Sequence, residues 1–430
     1  MKYVIIALSC FIGSYAYSSQ TLPGINSVFI APYFAASKEG GALVVWNTGG
    51  SLGGEVEYAL FSQKQQKFTP ATPVAGLTTS TQYVSAAMNG KKEALLAWNT
   101  VTGSIQYAIY ASGVMSPVKN IEGALPYSTA PQVVFNDQGE GIAVWSDANS
   151  TIQYATYHKM SKMFSQAKKL PNVKMSREMH VACNDQGEAL LLWYDSLAQS
   201  LSYAIYNAQA CEFKLIKTIE GTKDAMNLSL ALNDKGEAIV AWNTGSNTSP
   251  AGFLQYAVYQ KDKNSFTSFK TMPATTDHLA QNLLPKVALN NKGEGVMVWS
   301  QLNARGNNSI CYAFYDKKAK KFSAPKSIQT VEPYSTAPEV AINSQGDMMA
   351  TWFSTQSGLI QYSLYNKSTK AFDPTYAMTS NRPTDQFPEV FLNDQGEGII
   401  VWGSLGVIKY SIYDKETKKC SAVQTISVDK

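Results

Sequence analysis

The sequence predicts an all-β protein, an eight-bladed β-propeller of four-stranded antiparallel blades, on three observations. The segment Phe135 to Trp145, reading Phe-Asn-Asp-Gln-Gly-Glu-Gly-Ile-Ala-Val-Trp, returns at Cys183 to Trp193, Leu232 to Trp242, Leu289 to Trp299, Ile342 to Trp352 and Leu392 to Trp402, and in looser form ending at Trp46 and Trp98. These copies account for all eight tryptophans of the chain, and an Asn, or Ser37 in the first copy, lies nine residues before each of them. Successive tryptophans are 47 to 57 residues apart, a period that marks a modular array in which each unit is covered only by its neighbours.

The elements follow in order. Met1 to Ala16 has Lys2, an apolar run from Val4 to Ile12, and small residues at Ser14 and Ala16. That is the pattern of a secretory signal, too short to span a bilayer. Cys10 lies in a poor lipobox, so cleavage after Ala16 and a single propeller domain over 17–430 are expected. In the third unit, Pro131 to Asn136 reads as a first strand and Glu140 to Trp145 as a second. Between them, Asn136-Asp137-Gln138-Gly139 suits a type I turn followed by a left-handed Gly. Unit two carries Asn89-Gly90-Lys91-Lys92 instead, so its turn is expected to differ.

The third strand, Ile152-Gln153-Tyr154-Ala155-Thr156-Tyr157, is echoed from Ile105 to Tyr110 and on to Ile408 to Tyr413. Residues three apart on a strand face opposite sides, so the paired tyrosines pack against both neighbouring blades. A fourth strand follows a lysine-rich loop and begins near an aromatic, as in Lys321 to Ile328. The last unit holds its own fourth strand, Ser421 to Val428, so the ring closes by packing of blade eight on blade one without a swapped strand.

Composition narrows the function. Charged residues make up 16% of the chain, the formal charge is +4, and Arg177, Arg305 and Arg382 are the three arginines, which excludes the basic face of a nucleic-acid reader. No later stretch suits a membrane span. Cys183, Cys211, Cys311 and Cys420 are expected as unpaired thiols, since Cys183 and Cys211 fall on the first and fourth strands of one unit and the others on separate units. No phosphate loop, metal-ligand spacing or nucleophile elbow occurs, and His158, His180 and His278 lie in different units. No cofactor, metal or catalytic residue is therefore assigned.

The repeat resembles the propeller units of exported bacterial proteins that carry a Val-x-x-Asn-x-x-Gly-x-Ala-x-x-x-Trp core, from about Ile25 onward. With the signal segment and no later apolar span, the mature chain is expected to be soluble and exported, periplasmic or extracellular. The Gly-His and Trp-Asp pairs of WD repeats, the paired glycines of kelch units and the Ser-x-Asp-x-Gly-x-Thr-Trp box of sialidases are all missing.

Strand direction sorts the loops onto two faces. The Asn-Asp-Gln-Gly turns and the lysine-rich loops share a lower face, where a lysine rim around acidic turns most often serves solubility and less often attraction to an anionic surface. The loop after each Trp and the linker into each next blade share an upper face. Upper loops vary, the Trp-to-Tyr spacing running from eight residues (Trp402 to Tyr410) to fourteen (Trp242 to Tyr256), and variation on one face of a regular scaffold is where function lives. The hexapeptide Pro-Tyr-Ser-Thr-Ala-Pro occurs at 126–131 and again at 333–338, in units that face each other across the ring. Four residues before the turn Asn, the innermost strands carry Tyr33, Ser85, Gln132, His180, Ser229, Lys286, Glu339 and Glu389. All eight can hydrogen-bond and they are chemically unequal, which points to one asymmetric polar site at the channel mouth. Tyr33, Gln132, His180, Lys286, Glu339 and Glu389 are the candidate ligand-binding residues, with Arg177, Tyr127 and Tyr334 above them as rim. The expected function is non-enzymatic recognition of a glycan, peptide or partner protein by a monomer. The alternative is a sialidase-like carbohydrate-active hydrolase or lyase on the same face, drawing on Asp195, Asp224 or Asp277-His278.

Overall fold

The computed structural model describes residues 32–49, 54–77, 80–125, 127–173, 176–245, 252–273, 281–302, 308–332, 334–378 and 385–427. The signal segment with Cys10, the loop residues Asp277, His278, Arg305 and Arg382, and Pro126 and Pro333 of the hexapeptides lie outside these residues. Eight antiparallel sheets follow one another along the chain, each made of consecutive segments. A single 3-10 turn, Lys261–Lys263, is the helical element among the described residues, and no helix there is long and apolar enough to cross a membrane.

Blade three shows the plan: Gln132–Phe135, Gly141–Ser146 and Ile152–His158, then an outer strand in two pieces, Met163–Phe164 and Lys168–Lys169. The break has a chemical cause. Ser165 N–H donates to Thr156 O (2.8 Å), while the Ser165 hydroxyl takes the place of a backbone carbonyl and accepts from Thr156 N–H (3.1 Å). Thr69, Ser116, Thr267, Ser323 and Ser421 do the same in five other blades, and once a side chain supplies that acceptor the backbone is released from the ladder. Blade four has Lys214 there, which cannot accept. Its outer strand, Glu212–Ile219, stays continuous and absorbs the extra residue as a bulge.

The hairpin turns rest on the Asn side chain. Asn136 Oδ1 accepts from Gln138 N–H (3.1 Å) and Glu140 N–H (2.9 Å), with Gly139 left-handed at φ 83°. Unit two overturns the expectation of a different turn. Asn89 Oδ1 accepts from Lys91 N–H and Glu93 N–H, each at 3.0 Å, and Lys92 adopts the left-handed position at φ 62°. The Asn bonds hold the turn, and a lysine tolerates the strained conformation at a cost of about 1–2 kcal/mol.

Eight buried apolar clusters fill the eight junctions between blades, one tryptophan in each. All eight indoles are 0–1% exposed. The indole N–H groups of Trp46, Trp98, Trp145 and Trp242 donate to Glu57, Gln106, Gln153 and Gln255 on the adjacent third strand, at 2.9 to 3.1 Å. Ser202 is too short for this role and Lys409 is instead paired with Asp385 (2.8 Å), so the Trp193 and Trp402 N–H groups have no acceptor among the described residues. Third-strand tyrosines split as expected. Tyr154 packs toward blade four, edge-on to Phe213 (5.1 Å), and Tyr157 toward blade two.

The other half of each junction is a phenol. Tyr107 accepts from Phe164 N–H of the next blade (3.4 Å), Tyr256 from Phe322 N–H (3.3 Å), and Tyr362 from Cys420 N–H (3.3 Å). Ring closure repeats this contact: Tyr410 of blade eight accepts from Phe68 N–H of blade one (3.2 Å), the rings 4.8 Å apart. No strand is exchanged between the two among the described residues.

Trp145→Ala should lower the unfolding free energy by roughly 3–5 kcal/mol in denaturant titration, the range for truncating a buried large aromatic. Gln153→Ala should cost about 1–3 kcal/mol, because it leaves the Trp145 and Leu125 N–H groups buried without their acceptor.

Candidate functional site

The side chains four residues before the turn lean toward the following blade and link the ring at its inner edge. Ser85 accepts from Val133 N–H (3.1 Å), Ser229 from Val287 N–H (3.0 Å), and Gln132 donates to Met179 O (2.6 Å). Glu389 accepts from Phe34 N–H (3.3 Å) and Lys286 forms an ion pair with Glu339. Tyr33 lies beside the Ser85 hydroxyl. Ser85, Gln132, Ser229 and Glu389 are thus bonded to the backbone of the following blade, and the charged members Lys286, Glu339 and Glu389 gather on blades six, seven and eight beside Tyr33 of blade one.

A backbone device aims part of this ring. In blades four to eight the first strand carries a bulge whose left-handed residue stands two before the site position: Glu178 (φ 44°), Asn227 (54°), Leu284 (56°), Ala337 (46°) and Phe387 (53°). Bulges re-aim side chains at rims and sites. The first strand of blade two is also bulged, between Thr81 and Val84, but without a left-handed residue. The five residues share no chemical type, so nothing in the sequence marks them. Glu178 is the one that sequence reasoning missed. Its carboxylate accepts from Asn227 N–H (2.9 Å) and Leu228 N–H of blade five, and lies 3.9 Å from His180. Glu178 stands between Arg177 and His180 on the strand Ser176–Cys183, and that run of ionisable residues was the available signal.

Electrostatics separates the two carboxylates of the charged arc. Glu389 sits deep between blades eight and one, where loss of hydration and then the negative charge of Glu339 push its pKa up to about 8, against the opposing pull of Lys286 and the Phe34 N–H. Glu339 has the Lys286 ammonium directly beside it. Burial, and next the charge of Glu389, also raise the Tyr33 phenol. The arrangement presents one carboxyl that holds its proton near neutrality, one carboxylate beside an ammonium, and a phenol. These groups suit hydrogen bonding to a polar or charged ligand and proton exchange with it.

The rim residues are scattered. Arg177 lies over the Tyr194 ring (5.3 Å) and donates from Nε to Ser196 Oγ (2.8 Å). Tyr127 and Tyr334 occupy the same left-handed position (φ 59° and 60°) with exposed rings, while the next residues, Ser128 and Ser335, are buried and donate to Leu125 O and Glu332 O. The duplicated hexapeptide is therefore an anchored turn that displays a tyrosine. Asp195 caps its own turn through Leu197 N–H and Ala198 N–H. Other large apolar side chains exposed on this face include Leu197, Phe253 and Val331.

The lower end of the channel is built differently. Asn184, Asn233, Asn290 and Asn343 each donate from Nδ2 to the turn carbonyl of the next blade, at 2.9 to 3.1 Å. Lys38 of blade one reaches across to Asp137 (2.6 Å) and Asp185 (2.7 Å) of blades three and four, which holds the Asp137 carboxyl below its ordinary range against the cost of burial. A ligand entering the channel therefore has the upper mouth as its approach. The four described cysteines carry free thiols. Cys183 and Cys211 nevertheless line one cleft between blades three and four, and burial pushes the Cys183 thiol up to about 12.

No family model matches the chain, and no curated protein matches it by sequence. Among solved structures it is similar to the Dos1 propeller at 8% identity and TM-score 0.52, covering 89% of this chain and 95% of that one. It is also similar to Kuenenia stuttgartiensis hydrazine synthase at 10% identity and TM-score 0.50, covering 95% and 99%. A polysaccharide lyase, an ulvan lyase described with a bound sulfated saccharide, overlaps at 9% identity and TM-score 0.48, covering 75% and 91%. At these identities the likeness is one of fold.

Stability should depend on pH through Glu389. Its pKa is raised above the unfolded value, so the folded state holds a proton that the unfolded chain gives up, and the stability this supplies is full below about pH 4.5 and lost as pH rises through about 8. Glu389→Gln, which is neutral and of similar size, should flatten the fall in melting temperature between these limits.

Proposed function

We propose that the protein is a non-enzymatic binding propeller, exported after cleavage near Ala16 and acting as a monomer, that receives a glycan, peptide or partner protein at the upper mouth of its channel. One observation carries this reading: the chemically distinct groups Tyr33, Lys286, Glu339 and Glu389 converge on one arc, while Ser85, Gln132 and Ser229 are engaged in holding blades together. Eight equivalent sites would repeat one residue set; here the repeated residues are scaffold. Tyr127, Tyr334, Leu197 and Phe253 are exposed on the upper-face connections and would supply apolar contact to a ligand whose polar group enters the channel. His180 and Arg177 extend the surface on the side of blade four.

A second reading, a carbohydrate-active hydrolase or lyase, draws on the unequal carboxyl pair. Groups whose environments push their proton affinities apart are suited to acid and base roles. The two readings separate on one preparation of the mature chain. Under the binding reading, an array of glycans and peptides returns a ligand that is recovered unchanged, and Glu339→Ala, Glu389→Ala and His180→Ala each weaken it about tenfold or more while remaining folded. Equal binding by all three variants would remove the channel mouth from consideration, and turnover of a saccharide that stops in Glu389→Gln would favour the second reading.

A further inference from the structure

The lower face carries a feature that the channel does not use. Each loop from the third strand to the outer strand holds a left-handed residue at its tip, two of them in blade two (Ser112 and Gly113), a conformation for which Asn or Gly is the least strained choice. Blade five has Asn264 there, but blades three, six, seven and eight have Lys162, Lys320, Lys370 and Lys418, at φ 49–54°. These four lysines are exposed and form no ion pair among the described residues. They differ from the lysines earlier in the same loops. Lys261, Lys317 and Lys367 are held against Glu188, Glu237 and Asp347 of the hairpin turns at 2.6 to 2.7 Å. One set of lysines therefore fastens the loops to the disc, and the other projects from it. Blade six adds exposed Lys318 and Lys321 to the projecting set.

Two neighbouring loops of this face expose apolar side chains instead. Met160, between Lys159 and Lys162 in blade three, is 90% exposed, and Val114 at the turn of blade two is 67% exposed.

We infer that the lower face docks on an anionic lipid bilayer, with the projecting lysines against the headgroups and Met160 and Val114 entering the interface. Charge complementarity selects a polyanionic surface. The exposed thioether flanked by lysines selects a bilayer over a hydrophilic polyanion, because an apolar tip gains nothing from a sulfated or uronate chain and gains burial at a headgroup boundary. Docking in this way leaves the upper mouth open to solvent, so the inference does not depend on what the channel binds.

The test is cosedimentation of the mature chain with vesicles of about one part phosphatidylglycerol to three parts phosphatidylcholine, and with phosphatidylcholine alone. Binding to the anionic vesicles is expected, falling steeply at about 0.5 M salt, where screening is nearly complete at contact distances. The triple variant Lys318→Gln, Lys320→Gln, Lys321→Gln should lose about a hundredfold in partitioning, and Met160→Gln several-fold, both with the melting temperature of the parent. No binding to the anionic vesicles, or equal binding to both kinds, would overturn the inference. So would binding to dextran sulfate that equals binding to vesicles and is unaffected by Met160→Gln, which would assign the face to an anionic polymer.

Discussion

A single blade of this protein has two apolar faces and no core of its own, and every other feature depends on that constraint. A four-stranded sheet of this kind is unstable until both faces are covered. The cover is supplied by the neighbours, through one buried indole per junction and one phenol that reaches the outer strand of the next blade. The chain of junctions has no stable end until blade eight meets blade one, which makes the Tyr410 to Phe68 contact a closing repeat of an interaction already used elsewhere in the ring.

Closure creates an axis, and the axis creates the candidate site. Innermost strands bring one polar position per blade to a common level. Where that position is Ser or Gln, the next blade's backbone satisfies it and the ring is held together. Where it is Lys or Glu, charged side chains of the adjoining blades are also close, and Glu389 in addition accepts from the Phe34 N–H of blade one. Loss of hydration, and next the charge of Glu339, push the Glu389 carboxyl toward its protonated form. The left-handed bulge residues of blades four to eight set the aim of these side chains.

The two faces divide the work. Below, Asn side chains bind across every junction from blade four to blade eight and Lys38 spans the opening, so the turns form one continuous hydrogen-bonded rim. Above, the connections differ in length and display tyrosines, Leu197 and Phe253. A rigid lower rim and a varied upper one follow from the same strand order, since the short hairpins must all fall at one end.

The periodic spacing of the eight tryptophans determined the blade number, the strand pattern and the burial of the indoles, because a repeated side chain in a repeated setting can have only one structural explanation. The unequal polar ring was also legible, since alignment of the repeats isolates the position that varies. Sequence could not decide which ring members meet charged partners and which meet backbone, nor that Glu178 belongs with His180. Those outcomes depend on bulges whose residues share no type, and on which blade follows which around a closed circle. The turn of unit two shows the same limit: Lys92 looked like a break in the motif, yet the Asn89 side chain holds the backbone whatever residue follows. Local pattern fixes what a strand is, whereas hydration, charge and backbone strain at the axis are properties of the assembled ring and exist only once it closes.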